Sequence, residues 1–266
     1  MNREGIRKEE IIIMESGEKK SIFESERLRP FLAFFCAAGW SLAYPLIKLG
    51  YREMQIEGTD VGSKLLFAGI RFATAGLLVL ILSLIQKRSF QPEHRRDWGR
   101  VLLFGLVNTT LHYMFSYIGL GYILSSRATL LDSMGGFFLV ILGSVVFADD
   151  HFTKWKLLGC VLGFLGILLI NIAPGQAMFS GISFQGDGMI LLNAMCTAFG
   201  GLLTRVSSKK MDMTVATGIS MGAGGAVLIL LAVCVGLESP WRITAAGIGN
   251  LVILILISAI CFGIYN

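Results

Sequence analysis

"LLFAGIRFATAGLLVLILSLI", residues Leu65 to Ile85, is an apolar stretch long enough to cross a membrane, and it decides the fold class. About 20 apolar residues in a helix cross a hydrocarbon core of roughly 30 Å. A barrel strand would instead alternate polar and apolar side chains over roughly ten residues. Because a helix satisfies its own backbone hydrogen bonds in lipid, this stretch predicts a transmembrane α-helix that carries one charge, Arg71.

Seven further stretches have the same character, and the chain as a whole is 54% hydrophobic and 15% charged. The 32 glycines favour close helix packing in lipid, where small residues let backbones approach. The predicted fold class is therefore an all-α, polytopic membrane helix bundle of eight spans. The predicted spans run approximately from Pro30 to Gly50, Leu65 to Ile85, Val101 to Leu120, Ala128 to Ala148, Trp155 to Ile172, Gly188 to Thr204, Val215 to Leu237 and Ala245 to Asn266.

The distribution of basic residues predicts the orientation. Residues 1–29 hold seven Lys/Arg and seven Asp/Glu without a signal-peptide core, which is typical of a solvated tail. The tail and every second connection hold 17 Lys/Arg, against five in the intervening connections. Since cytoplasmic segments carry the excess of Lys and Arg, we expect a cytoplasmic amino-terminal tail and a multi-pass protein of the cell (plasma) membrane. The basic residues flank apolar stretches and form no stripe, which argues against nucleic acid as a partner.

Motifs for catalysis or for cofactors are missing from the sequence. The five cysteines each lie in an apolar stretch without CxxC or Cys/His spacing, so we expect neither a disulfide framework nor a metal site. There are three histidines, no Ser/His/Asp set and no Walker motif. The sequence therefore predicts a protein that is not an enzyme and holds no cofactor.

Two pairs of spans resemble each other within the chain. Span 1 contains "AAGWSLAYPLIK" and span 6 contains "AMCTAFGGLLTR", and the interval from Trp40 to Lys48 equals that from Thr197 to Arg205. "VNTTLHYMFSY" in span 3 loosely parallels "LISAICFGIYN" in span 8. Five helices per repeat is an odd number, so a second copy inserts upside down, as in many transporters.

The sequence resembles the EamA-type transporters of the drug/metabolite transporter superfamily. The resemblance rests on "WSLAYPLIKLG", "IRFATAGLLVLIL", "SSRATLLDSMGGFFLVILGSVVFADD", "WKLLGCVLGFLGILLIN" and "GDGMILLNAMCTAFGGLLTR". It implies ten helices in two inverted five-helix repeats, with residues 30–173 as the first repeat and residues 187–266 as an incomplete second repeat. The implied function is secondary transport of a small organic solute or metabolite, in the export direction, by alternating access and with a proton as a candidate coupling ion.

The same resemblance predicts that spans 9 and 10 are missing. In the first repeat, roughly 55 residues from Gly119 to about Ala173 follow the counterpart of Asn266. We therefore expect a carboxy-terminally truncated member, with a true eight-helix protein as the alternative. Three other functions stay open: a membrane-embedded structural subunit, an enzyme, or a non-functional fragment of a transporter. An enzyme would favour a dense cluster of His and acidic residues at one membrane face, which the sequence lacks.

Three ionisable residues inside the spans are the first functional candidates, because such groups are costly in hydrocarbon. Arg71 and Asp132 are predicted at similar depths and His112 nearby, so they could form one polar cluster. A structural role competes for each: snorkelling or helix locking for Arg71, an interhelical hydrogen bond for His112, and an interfacial cap for Asp132. We expect either a coupling role for Asp132 or a structural pair with Arg71.

The resemblance also implies a central cavity that binds the solute. The candidate lining residues are Trp40, Tyr44, Asn108, His112, Tyr113, Asp132, Ser133, Asn193 and Thr197. Span 4 has Gly135 and Gly136 where the family usually has a proline, so we expect flexibility there without a fixed kink. The glycine series Gly159, Gly163 and Gly166 in span 5 favours close helix packing. The oligomeric state is left open.

Overall fold

The computed structural model describes residues 28–92, 94–95, 97–147, 150–171, 181–208, 211–238 and 241–265. Nearly all of the predicted tail lies outside these ranges. So do Ala148, Ile172, Ala173 and Asn266, which end predicted spans or repeats. Within the described ranges the secondary structure is helical and contains no strand.

Ten α-helices and two π-helical segments make up the described chain. They are α1 (Arg29–Glu53), α2 (Val61–Ile85), α3 (Asp97–Gly105), a π-helix (Leu106–Leu111), α4 (His112–Leu120), α5 (Ser125–Asp132), α6 (Met134–Val146), α7 (Lys154–Asn171), a second π-helix (Phe184–Gly188), α8 (Met189–Ser207), α9 (Met213–Val235) and α10 (Ala245–Tyr265). Span 3 is thus α3, the first π-helix and α4, and span 4 is α5 followed by α6.

Seven helical segments of the described ranges are long and apolar enough to cross a membrane. They coincide with the predicted spans 1, 2, 3, 4, 6, 7 and 8. The predicted span 5 corresponds to α7, which is helical but is not one of the seven. The all-α, polytopic helix bundle is therefore confirmed.

Capping residues explain why two helices begin before their apolar stretches. The Asp60 side chain accepts a hydrogen bond from the Ser63 backbone nitrogen at 2.8 Å, and Asp212 accepts one from Thr214 at 2.9 Å. Lys64, predicted to lie in a connection, consequently falls in the first turn of α2. Its ammonium donates to the Gly58 carbonyl and lies 4.6 Å from the centroid of the Tyr122 ring.

Helices α2 and α9 pack backbone against backbone. A Cβ added at Gly69 would lie 2.9 Å from the Gly225 carbonyl oxygen, and one added at Gly76 would lie 2.8 Å from that of Gly218. The same sequence interval separates Gly69 from Gly218 and Gly76 from Gly225. Small residues are therefore required at matching positions of both helices.

The other helices pack on this pair or on one another. Helix α1 packs on α10, α4 and α6 pack on α8, and α2 also contacts α10. The close packing predicted for the α7 glycines applies to one of them: a Cβ at Gly163 would meet the Phe137 ring, while Gly159 and Gly166 have no described neighbour within 4 Å. For those two glycines, the expected packing against the described helices was wrong, because α7 touches the bundle mainly through α6.

Candidate functional site

A cavity of about 420 Å³ lies inside the bundle, in the range typical of small-molecule sites. Residues from spans 1 to 4 and 6 to 8 line it. They are Trp40, Ala43, Tyr44, Ile47, Arg71, Phe104, Asn108, His112, Tyr113, Ser116, Tyr117, Asp132, Leu139, Thr197, Gly201, Thr204, Thr217 and Phe262. The wall combines aromatic rings with a few charged and hydrogen-bonding groups.

The π-helix in the middle of span 3 lies beside the cavity. It contains Asn108, which lines the wall, and Thr109, whose hydroxyl lies 2.7 Å from the Ser220 hydroxyl of α9. Helix α4 then begins at His112, whose Nδ1 lies 3.2 Å from the Thr197 hydroxyl. π-helical segments inside α-helices are frequent at functional sites, and this one changes the helical phase of the side chains before His112.

Asp132 ends α5, at a point where the helical pattern of span 4 is interrupted by Ser133. Its Oδ1 accepts a hydrogen bond of 2.6 Å from the Asn193 amide, and Asn193 is fully buried. The Tyr44 hydroxyl lies 3.5 Å from the same amide nitrogen and accepts from the Ser116 hydroxyl at 3.3 Å. The neutral Asn193 amide thus holds the carboxylate at the cavity wall.

Arg71 is 3% exposed and reaches the cavity from α2. Its Nε donates to the Ser258 hydroxyl at 2.9 Å, and its Nη1 donates to the Tyr117 hydroxyl at 2.7 Å. No carboxylate in the described ranges comes within 4.0 Å of its guanidinium, so Arg71 and Asp132 share the cavity without forming an ion pair.

Aromatic rings close the cavity behind Arg71. The Tyr51 hydroxyl donates to the Tyr117 carbonyl at 3.0 Å, and the Phe67 centroid lies 6.2 Å from those of both Tyr117 and Trp241. Much of the buried apolar core belongs to this end of the bundle. In the opposite direction the lining continues to Thr204, near the far end of α8.

The structure brings together most of the predicted site residues. Those that line the cavity are Trp40, Tyr44, Asn108, His112, Tyr113, Asp132 and Thr197, together with Arg71. Asn193 stands behind the wall as the partner of Asp132. Ser133 is exposed, lies outside the lining and donates to the Thr129 carbonyl. The binding or coupling roles of all these residues stay predictions.

Sequence reasoning missed several lining residues. Ser116 and Tyr117 follow Tyr113 by three and four positions, so helical spacing within "HYMFSY" could have found them. Phe262 is the counterpart of Tyr113 in the parallel between spans 3 and 8, so the internal repeat could have found it. Thr204 and Thr217 gave no such signal, because each lies in a stretch whose orientation only the packed bundle fixes. The described residues contain no group of three or more His, Cys, Asp or Glu side chains that could hold a metal ion.

Ion pairs join span 4 to span 6 at both ends. At one end, Arg127 Nε lies 2.6 Å from Asp187 Oδ1, and that carboxylate is 8% exposed. At the other end, Arg205 lies 3.1 Å from Asp150, which also accepts a hydrogen bond from Lys156. This hydrogen bond, with a smaller contribution from Arg205, lowers the pKa of the Asp150 carboxyl from its ordinary value.

These features define a class: a multi-pass membrane protein whose helices enclose a partly polar cavity. The EamA-like transporter family model matches residues 29–172, more than half of the chain. The chain therefore belongs to the EamA-like transporter family. The family and the names of its relatives point to a transporter and not to an enzyme.

Two relatives that are named as transporters and one that is named as WAT1-related match different shares of the chain. An uncharacterized transporter of Synechocystis is 30% identical over 86% of this chain and 73% of its own length. The uncharacterized transporter YvbV of Bacillus subtilis is 28% identical over 75% of this chain and 61% of its own. A WAT1-related chloroplastic protein of Arabidopsis thaliana is 28% identical over 62% of this chain and 40% of its own.

A solved crystal structure shares the fold. It matches 87% of this chain and 76% of its own chain with a TM-score of 0.64, at 15% sequence identity. At that identity the likeness concerns the fold alone.

Proposed function

We propose that the protein is a secondary transporter that exports a small organic solute by alternating access. The observation that carries the proposal is the cavity itself, which is lined by Asp132, His112 and Arg71 together with aromatic rings. Ionisable groups are costly inside a membrane and mark solute or ion pathways there. Their convergence on one cavity supports solute binding at that place.

Matching contacts support an inverted repeat, which alternating access would use. One sequence interval relates Arg71 to Ser220 and Thr109 to Ser258. Arg71 binds Ser258, and Ser220 binds Thr109, so the contact between spans 2 and 8 has a counterpart between spans 7 and 3. Such reciprocal contacts favour division of the chain into residues 30–173 and 187–266.

Asp132 is the proposed site of proton coupling. It is an acid in the cavity wall whose described partners are neutral, so its charge depends on the solute and on water. In proteoliposomes, Asp132→Asn is expected to abolish solute flux or to uncouple it from a pH gradient, while expression stays near normal. Asp150→Asn, which removes an acid outside the cavity, is the matched control and is expected to preserve coupling.

The solute of the proposed transport can be sought among compounds that raise the thermal stability of the protein. A metabolite library would be screened against the purified chain, and each stabilising compound would be tested by counterflow in proteoliposomes. We expect at least one compound to exchange, with flux that depends on Asp132. Absence of protein-dependent flux for every stabilising compound would refute the transport proposal.

We place the protein in the plasma membrane with a cytoplasmic amino terminus, on the strength of the Lys/Arg distribution. Alkaline phosphatase joined after Gly121 is expected to be active, because this connection is predicted outside. The same reporter joined after Ser208 is expected to be inactive. The reverse pattern would overturn the orientation.

A further inference from the structure

The Arg71 guanidinium is a buried charge without an acidic partner in the described structure. Burying an isolated charge is costly, and buried charges in proteins are usually paired. Its two described hydrogen bonds go to the neutral hydroxyls of Ser258 and Tyr117. The Arg71 side chain is 3% exposed, so it does not extend to the membrane–water interface as a snorkelling arginine would.

The guanidinium still has donors to offer. It carries five N–H groups in a planar fork, and the described bonds use Nε and Nη1. Nη2 makes no hydrogen bond to any described residue. A carboxylate fits such a fork through two parallel hydrogen bonds, which are stronger than bonds between neutral groups.

Helix packing alone does not require this charge. The position equivalent to Arg71 in span 7 is Ser220, which makes the equivalent contact with the Thr109 hydroxyl at 2.7 Å. A short hydroxyl side chain therefore serves the same interhelical contact without a charge. The charge is therefore not needed for this interhelical contact, and a further described contact of the guanidinium is with the Phe72 ring, whose centroid lies 4.8 Å away.

We propose that Arg71, together with the hydroxyl of Tyr117, binds a carboxylate group of the solute at the closed end of the cavity. The proposal rests on the transport function proposed above and adds the chemical class of the solute. Further along the cavity, Phe104, Leu139 and Phe262 give an apolar wall for the remainder of the molecule. The solute class is therefore an organic carboxylate with an apolar portion.

The test compares two probes of nearly equal size and shape, one with a charged carboxylate and one with a neutral amide. Binding of 3-phenylpropanoate and of 3-phenylpropanamide to the full chain in nanodiscs would be measured by calorimetry. We expect the acid to bind at least about tenfold more tightly, since one hydrogen bond to a charged group corresponds to such a ratio. Equal affinities, or no measurable binding of the acid, would overturn the proposal.

Variants assign this preference to Arg71. Arg71→Gln is expected to bring the affinity ratio of acid to amide to about one, and Arg71→Lys to keep part of it, because lysine retains the charge but lacks the fork. Arg52→Gln removes an exposed arginine outside the cavity and should leave the ratio unchanged. An unchanged ratio in Arg71→Gln would also contradict the proposal.

A gentler variant covers the case in which Arg71→Gln does not fold. Tyr117→Phe keeps the ring but removes the hydroxyl, and a several-fold loss confined to the acid is expected. An equal loss for both probes would show that Tyr117 only shapes the cavity and would refute its role. These binding measurements do not depend on transport. Arg71-dependent binding without solute flux would therefore refute the transport function alone. Solute flux without a preference for the carboxylate probe would refute the carboxylate subsite alone.

Discussion

Spans 2 and 7 are alike in how they pack and unlike in the chemistry that they bring to the cavity. Gly69 and Gly76 of α2 meet Gly225 and Gly218 of α9 at positions related by one sequence interval. By the same interval Arg71 corresponds to a serine. The comparison shows that close packing requires small residues from both helices, whereas the cavity takes its charge from one of them.

Spans 3 and 8 repeat this difference. His112 and Tyr113 correspond, by the interval that relates spans 2 and 7, to Cys261 and Phe262. Tyr113 and Phe262 both line the cavity, but only the tyrosine has a hydroxyl. The ionisable side chains of the wall thus belong to spans 1 to 4, whereas spans 6 and 7 contribute neutral threonines. Two structurally related helices therefore present different surfaces to the cavity.

The largest loss of stability is expected at the glycines through which α2 and α9 pack in the same way. Gly76→Ala and Gly225→Ala each place a Cβ against the backbone of the facing helix, and should lower the free energy of unfolding by about 1–3 kcal/mol. Gly99→Ala, with no described atom within 4 Å of the new Cβ, is the control. Chemical denaturation in detergent would measure all three, and a large cost at only one of the first two sites would break the equivalence of α2 and α9.

The two ends of the contact between spans 4 and 6 give a second comparison. A double-mutant cycle of Arg127→Gln and Asp187→Asn should yield a coupling energy of about 1–2 kcal/mol, between the values of exposed and buried pairs. The same denaturation measurement provides it. A coupling near zero would show that this half-buried pair is no more stabilising than an exposed one.

Removal of single hydroxyls sharpens the difference between Arg71 and Ser220. Ser220→Ala should cost about 1 kcal/mol of unfolding free energy and leave the binding of 3-phenylpropanoate unchanged, because it breaks one neutral hydrogen bond. Ser258→Ala should weaken that binding several-fold, since it releases Arg71 Nε. Calorimetry on both variants tests this, and equal binding losses would contradict the asymmetry.

The smallest effect is expected at the exposed end of spans 4 and 6. The lowered pKa of Asp150 means that its contribution to stability is present at neutral pH and is lost as the pH falls through that pKa. Arg205→Gln should therefore lower the midpoint of thermal unfolding slightly at pH 7 and not at strongly acidic pH. A pH-independent shift would show that Arg205 acts through packing alone.

The sequence was sufficient for the helices and for much of the cavity wall. Hydropathy locates spans because lipid requires long apolar helices, and the resemblance to EamA-type transporters implied many of the residues that line the cavity. Capping aspartates lie outside the apolar stretches, so hydropathy placed the start of α2 at Leu65 instead of Val61. Packing decides the rest: Ser133 and Asp132 are neighbours in sequence, yet only one of them faces the cavity.

Glycine placement shows the same limit. The three glycines of α7 form a more obvious series than those of α2, but only Gly163 meets a described neighbour within 4 Å. Spacing along one helix predicts that a small-residue face exists. Which helix lies against that face depends on the complete set of interhelical contacts.

The backbone contact between α2 and α9 also limits how the protein can change shape. Backbone lies directly against backbone at Gly76 and Gly225, where an added Cβ would lie 2.3 Å from a main-chain nitrogen of the facing helix. Translation of one helix along the other would drive backbone atoms into each other. Sliding of α2 along α9 is therefore resisted by main-chain atoms, which unlike side chains have no alternative rotamers.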